Sequence, residues 1–152
     1  MLNTLVMTKL IIHKPANEVF EAIVSPDKIG NFWFSSSSER WEKDKRILLR
    51  YEEYNAKGVI TVLEMENNQK IVFSWGEEHG KGTEVTITLT ELGLGTVIEV
   101  RESGLNQEDP DVVAKMMQQK EGWVYTLTCL KAYVESGINN LRASLIHEGS
   151  IN

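Results

Sequence analysis

The chain has 152 residues, 41% of them hydrophobic and 25% charged, with a formal net charge of −6. One domain of this size buries a real core without disulfides or metals. With no basic cluster along the chain, nucleic acid and anionic membrane are excluded as natural partners, since both require concentrated Lys and Arg. The single cysteine, Cys129, excludes an internal disulfide and fits a reducing compartment. No segment approaches the roughly 18 consecutive apolar residues of a membrane span, and Met1 to Ile12 lacks a basic leader and a cleavage site, so a cytoplasmic location is expected.

Leu5 to Ile12 alternates in the manner of a strand buried on at least one face. Pro15 and Glu18 suit a first helical turn, and Val19, Phe20, Ile23 and Val24 recur at helical spacing, which predicts a short amphipathic helix over 16–24. Ser25-Pro26-Asp27 breaks it, and a second short helix through Ile29 and Trp33 follows. The serine run 35–38 reads as a loop. Five strands are then predicted at about 46–53, 57–66, 69–75, 82–91 and 95–102. They are separated by Asn- and Gly-containing turns, so consecutive strands pair antiparallel. The last element is a long helix, roughly Asp109 to Ser136, stopped by Gly137. A helical wheel places Val112, Val113, Met116, Met117, Trp123, Val124, Leu127, Leu130 and Val134 on one broad arc, with Cys129 opposite it as a lateral packing or interface residue. The weakly helical tail 138–152 packs on the body, mediates self-association, or frays. The expected architecture is α+β: a curved antiparallel sheet wrapped around a long C-terminal helix, with a hollow between them.

Pro15-Ala16, Val19-Phe20, Ala22-Ile23, Pro26 and Phe32-Trp33 resemble the opening of the START-like (SRPBCC) superfamily. Ile71 to Trp75, Thr83 to Leu89, Gly95-Thr96, Glu102-Ser103-Gly104-Leu105, and Gly122-Trp123 with Leu127 and Leu130 are similar to one branch of it. That branch is named after the activator of the heat-shock-protein-90 ATPase. Glu42-Lys43-Asp44-Lys45 stands where that branch commonly carries a Gly-Gly turn. The chain also has no room for the separate N-terminal chaperone-binding domain of the eukaryotic activators. The resemblance implies a helix-grip fold in the order β-α-α-β-β-β-β-β-α, a single domain over 1–137, and non-catalytic binding of a small hydrophobic or aromatic ligand. A chaperone-associated interaction module is the alternative it implies, and a cyclase- or hydrolase-type enzyme a third. A homodimer is also considered. No cofactor is expected.

The residues give candidates for such a site. Ile98, Val100 and Glu102 share one face of their strand, as do Ile71, Phe73 and Trp75. Glu102 is then either an orienting group for a ligand hydroxyl or amine, or a rim residue that is solvated or paired with a base. Lys120 falls within the apolar arc of the last helix and must snorkel, pair with an acid, or enter a wet cavity. A Glu102–Lys120 pair at one end of the pocket is therefore expected. Trp33, Trp41, Trp75 and Trp123 are either lining for a flat apolar ligand or ordinary core, with core the simpler account of Trp123. Together with Met116 these residues form the expected ligand-binding set. His13, His79 and His147 lack metal-ligand spacing with one another, so no metal site is expected. An enzyme would have only Glu102, Lys120 and Tyr51 or Tyr54 as acid–base groups.

Overall fold

A computed structural model of the chain describes residues 3–76 and 82–146. The element order is β1 (Val6–Ile12), α1 (Ala16–Val24), α2 (Pro26–Ile29), β2 (Ser36–Ser37), β3 (Arg46–Tyr51), a 3-10 turn (Glu52–Tyr54), β4 (Ala56–Glu66), β5 (Lys70–Trp75), β6 (Glu84–Leu92), β7 (Gly95–Ser103) and α3 (Val112–Ser136). All seven strands join one antiparallel sheet in the order β1-β7-β6-β5-β4-β3-β2. This is the expected helix-grip architecture. His79 and His147 lie outside the described residues.

The sheet's inner face follows from alternation. Ile47 and Leu49, Ile60 and Val62, Ile71 and Phe73, Val85, Ile87 and Leu89, and Ile98 and Val100 are all buried, each pair or triplet two residues apart on its strand. At about 1.5–3 kcal/mol for each large side chain removed from water, this face is the main cohesive surface of the fold. Helix α1 adds Val19, Phe20 and Ile23, and α3 adds Trp123, Leu127 and Leu130.

Four local features differ from the sequence expectation. The serine run is not wholly loop. Ser36 and Ser37 form an edge strand opposite Arg50 and Leu49, because a two-residue ladder asks little of side-chain propensity. The Glu42–Lys45 segment turns without glycine, through Asp44 at φ 71°, a conformation that Asp tolerates better than most residues. The apolar arc of α3 is only partly buried: Val113, Met117 and Val124 are exposed, and the first two stand beside β1 on the outside of the sheet. Conversely, Cys129 is buried rather than lateral. The tail accounts for this difference, since it crosses that side of the helix.

The tail is held by backbone and side-chain contacts together. Gly137, at φ 70°, ends α3 in a left-handed cap, with Gly137 N–H donating to Tyr133 O and Ile138 N–H to Ala132 O. Tyr125 donates its hydroxyl to Leu141 O and Tyr54 donates to Leu145 O (2.7 Å). Arg142 is the anchor. Its Nε donates to Trp33 O (2.8 Å), its guanidinium bridges both Glu53 oxygens and Ser35 Oγ, and it lies 5.3 Å above the Tyr51 ring. Of the alternatives for the tail, residues 138–146 take the first and pack on the body.

Arg142 donates to Glu53 and holds its carboxyl down at about 2. In the unfolded chain that carboxyl returns to its ordinary value of about 4.3. The folded form therefore binds fewer protons between these values. The stabilisation is complete above the unfolded value and is lost as pH falls through the folded one. Glu53 is exposed, so the contribution at neutral pH is at most about 1 kcal/mol. Denaturant unfolding of wild type and Glu53→Gln should differ by a constant amount from neutrality to about pH 5, and the difference should shrink toward pH 2.

Candidate functional site

The strand end at Glu102 sets the geometry of the site. β7 carries Ile98, Val100 and Glu102 on its inner face, so the strand that contributes core also delivers a carboxylate beneath α3. Glu102 is fully buried. It accepts from Thr83 Oγ1 (2.5 Å), from Gln119 Nε2 at both oxygens (2.9 and 3.1 Å) and from Trp123 Nε1 (2.9 Å). Gln119 and Trp123 stand one helical turn apart on α3 and so present to the same point.

The expected Glu102–Lys120 pair does not form. Lys120, one residue beyond Gln119, is turned about 100° away and donates to the Met7 carbonyl of β1. The carboxylate is satisfied by neutral donors, and the lysine snorkels along the outside of the sheet edge.

Beside this node lies a cavity of about 250 Å³ between the sheet and α3. Trp33, Phe34, Tyr51, Tyr54, Trp75, Trp123 and Tyr125 supply its aromatic wall, and Gln119, Gly122, Thr126 and Leu145 the remainder. The rings brace one another. Trp33 lies 5.4 Å from Trp123 and 4.8 Å from Phe34, and Phe34 packs edge-on against Tyr51 at 5.3 Å and Trp75 at 5.9 Å.

Of the nine residues singled out from the sequence, Trp33, Trp75 and Trp123 line this cavity. Trp41 and Phe73 lie behind it, packed on each other at 5.3 Å and on Trp33 and Trp75 respectively. Val100 is buried core, and Glu102 supports Gln119 and Trp123 from beneath. Met116 and Lys120 are elsewhere, in an open groove of about 670 Å³ between α3 and β1 that Leu5, Met7, Val113 and Met117 also line. They share the apolar arc with Trp123 but lie on another side of the helix, because the arc wraps around the sheet edge.

The residues missed are Phe34, Gln119, Gly122, Tyr125, Thr126 and Leu145. Gln119 was within reach of the sequence, since it precedes Trp123 by four. Leu145 was not, because its position depends on the tail folding back.

Burial, followed by the neighbouring Tyr54, pushes the Tyr51 phenol up to about 12, and burial also raises Tyr54. Both therefore stay protonated at neutral pH and are weak acid–base groups there. Burial pushes the Cys129 thiol up as well, which makes it less reactive. Among the described residues, no group of three His, Cys, Asp or Glu could hold a metal ion. No helix of the described residues is long and apolar enough to cross a membrane.

The profile of the family described as "Activator of Hsp90 ATPase homolog 1-like protein" matches residues 13–135. Comparison with curated proteins gives no match. Among solved structures, the protein SSP2350 from Staphylococcus saprophyticus is 47% identical, over 89% of this chain and 94% of that one, with a TM-score of 0.78. Two more distant structures share the fold. DynU16, a protein in the dynemicin biosynthetic locus, is 22% identical over 91% of this chain and 49% of its own, with a TM-score of 0.77. The Aha1 dimer from Colwellia psychrerythraea is 17% identical over 90% of this chain and 98% of its own, with a TM-score of 0.76. Helix-grip topology, the matched span and the 47% identity agree: the chain belongs to the Activator of Hsp90 ATPase homolog 1-like family of START-like proteins.

Proposed function

We propose that this protein binds a small aromatic molecule, without catalysis, in the cavity between the sheet and α3. The observation that carries this reading is Gly122. Glycine inside a helix costs about 1 kcal/mol relative to alanine, and Gly122 sits near the middle of the 25-residue α3. It lies on the cavity wall, and a Cβ built on it meets nothing within 4 Å. Packing does not demand the glycine, and its absence of a side chain is consistent with keeping that space open. The aromatic wall supports the same reading, because flat rings stack on indole and phenol faces with little loss of side-chain entropy. A volume of about 250 Å³ suits one or two fused rings, given that a cavity of about 150 Å³ accepts benzene. A cytoplasmic location fits the single cysteine and the lack of a disulfide.

A second reading, a chaperone-associated module, rests on the family's name and on the exposed apolar groove beside β1. A homodimer belongs with it, by analogy with the Colwellia psychrerythraea dimer. The two readings separate experimentally, because only the first makes stability depend on small aromatic molecules.

Thermal unfolding should be followed with 2-naphthol and, as an aliphatic control, decanoic acid. Naphthol at about a hundred times its dissociation constant should stabilise the fold by about 2.7 kcal/mol, roughly 5–10 °C in a domain of this size. It should also quench tryptophan fluorescence, while decanoic acid leaves both unchanged. A flat response to both would move the function to the surface groove. Gly122→Ala should raise the unfolding midpoint through helix propensity alone, by up to about 1 kcal/mol. Gly122→Leu should fold at least as well as wild type, yet abolish the naphthol shift by filling the cavity.

A further inference from the structure

Within the ligand-binding reading proposed above, on which this inference rests, the structure assigns the chemistry of the ligand's polar group. We infer that Gln119, held in one orientation by Glu102, presents a carbonyl oxygen to the cavity and selects aromatic ligands that carry a hydrogen-bond donor.

The orientation is forced. The Gln119 nitrogen lies 2.9 and 3.1 Å from the two oxygens of Glu102. Turning the amide over would place its oxygen against both carboxylate oxygens, with no hydrogen between them. Glu102 cannot relax to allow this. It is fully buried, and its other donors, Trp123 Nε1 and Thr83 Oγ1, fix it from α3 and from the residue preceding β6. The amide nitrogen thus points away from the cavity wall that Gln119 lines, and no described residue donates to its oxygen. Two neighbouring polar hydrogens are committed elsewhere. Trp123 N–H goes to Glu102, and the Tyr125 hydroxyl goes to Leu141 O. The Thr126 hydroxyl, one turn beyond Trp123 along α3, can accept as well as donate. At Gln119 the wall therefore offers lone pairs. A ligand with an N–H or O–H at that point satisfies Gln119, whereas one with an ether oxygen meets an acceptor with an acceptor. Buried polar groups left unpaired are costly, so the discrimination is expressed as affinity. Glu102 is the positioning residue and Gln119 the specificity-determining one.

The test is a matched pair of the same size and shape: indole, which carries an N–H, and benzofuran, which carries an oxygen at the same place. Dissociation constants are measured by isothermal titration calorimetry on the full chain. Wild type should bind indole roughly three- to tenfold more tightly. Gln119→Leu should reverse the preference, since the indole N–H then enters unpaired. Glu102→Gln replaces one acceptor oxygen by a donor and lets the Gln119 amide turn. It should erase or invert the indole preference, an effect that general loosening of the fold would not produce, because loosening weakens both ligands alike. Equal binding of the pair by wild type, or the same preference in Gln119→Leu, overturns the inference while leaving aromatic binding intact. A wild-type preference for benzofuran would place the polar contact on a donor and overturn it too. Binding of neither compound would overturn both the inference and the ligand-binding reading beneath it.

Discussion

The buried carboxylate of Glu102 is the constraint around which this end of the molecule is arranged. A carboxylate taken out of water is tolerated only when its oxygens are hydrogen-bonded. Here the three donors come from two places: Thr83, the residue preceding β6, and Gln119 and Trp123 on α3. Glu102 therefore acts as a fastener between sheet and helix. It sets the rotation of α3 about its own axis, because the carboxylate is met only when the face carrying residues 119 and 123 points inward. With that rotation set, Gly122 and Thr126 line the cavity while Lys120 and Met117 are turned outward to the β1 edge.

A hollow beside a packed core needs walls that do not collapse into it. The aromatic side chains provide them by supporting one another rather than the empty space. Trp41 and Phe73 are fully buried behind the wall and back Trp33 and Trp75. Phe34 wedges between Trp33, Tyr51 and Trp75. The far side is closed by the tail. Arg142 ties the backbone of Trp33 to Glu53 just beyond β3, and Leu145 completes the lining. Three separate parts of the chain thus converge on the cavity, and each is anchored by contacts outside it.

The architecture was legible in the sequence because it is governed by local signals. Alternation over β3 to β7, Asn and Gly at the turns, and Gly137 after a long apolar-striped segment each follow from backbone chemistry, and the family motifs fixed their order. The site was legible only in part. The inward direction of Glu102 followed from its parity with Ile98 and Val100, but the identity of its partner did not. Charge matching pointed to Lys120, whereas the structure uses Gln119, because a one-residue step rotates a helix by about 100° and carries a side chain from the interior to the sheet edge. The four tryptophans could be recognised as a set. Their separation into two layers, with Trp33, Trp75 and Trp123 at the cavity and Trp41 behind it, depends on tertiary distances that periodicity does not encode.

Under the proposed ligand-binding reading, Gly122 shows most directly how stability and function are balanced. Helix α3 would gain from alanine at that position, and nothing in the surrounding packing stands in the way. The same helix places Gln119, a polar residue, at the interface, where a leucine would bury more apolar surface. Two departures from the best helix–sheet packing, three residues apart on one face, open onto the same 250 Å³ of space. A sequence shaped only by stability would fill that space, as it has filled the rest of the core. Local weakness concentrated at one place, while the sheet behind it keeps an inner face that is apolar apart from Glu102, is the pattern expected where a fold gives up packing to hold something else.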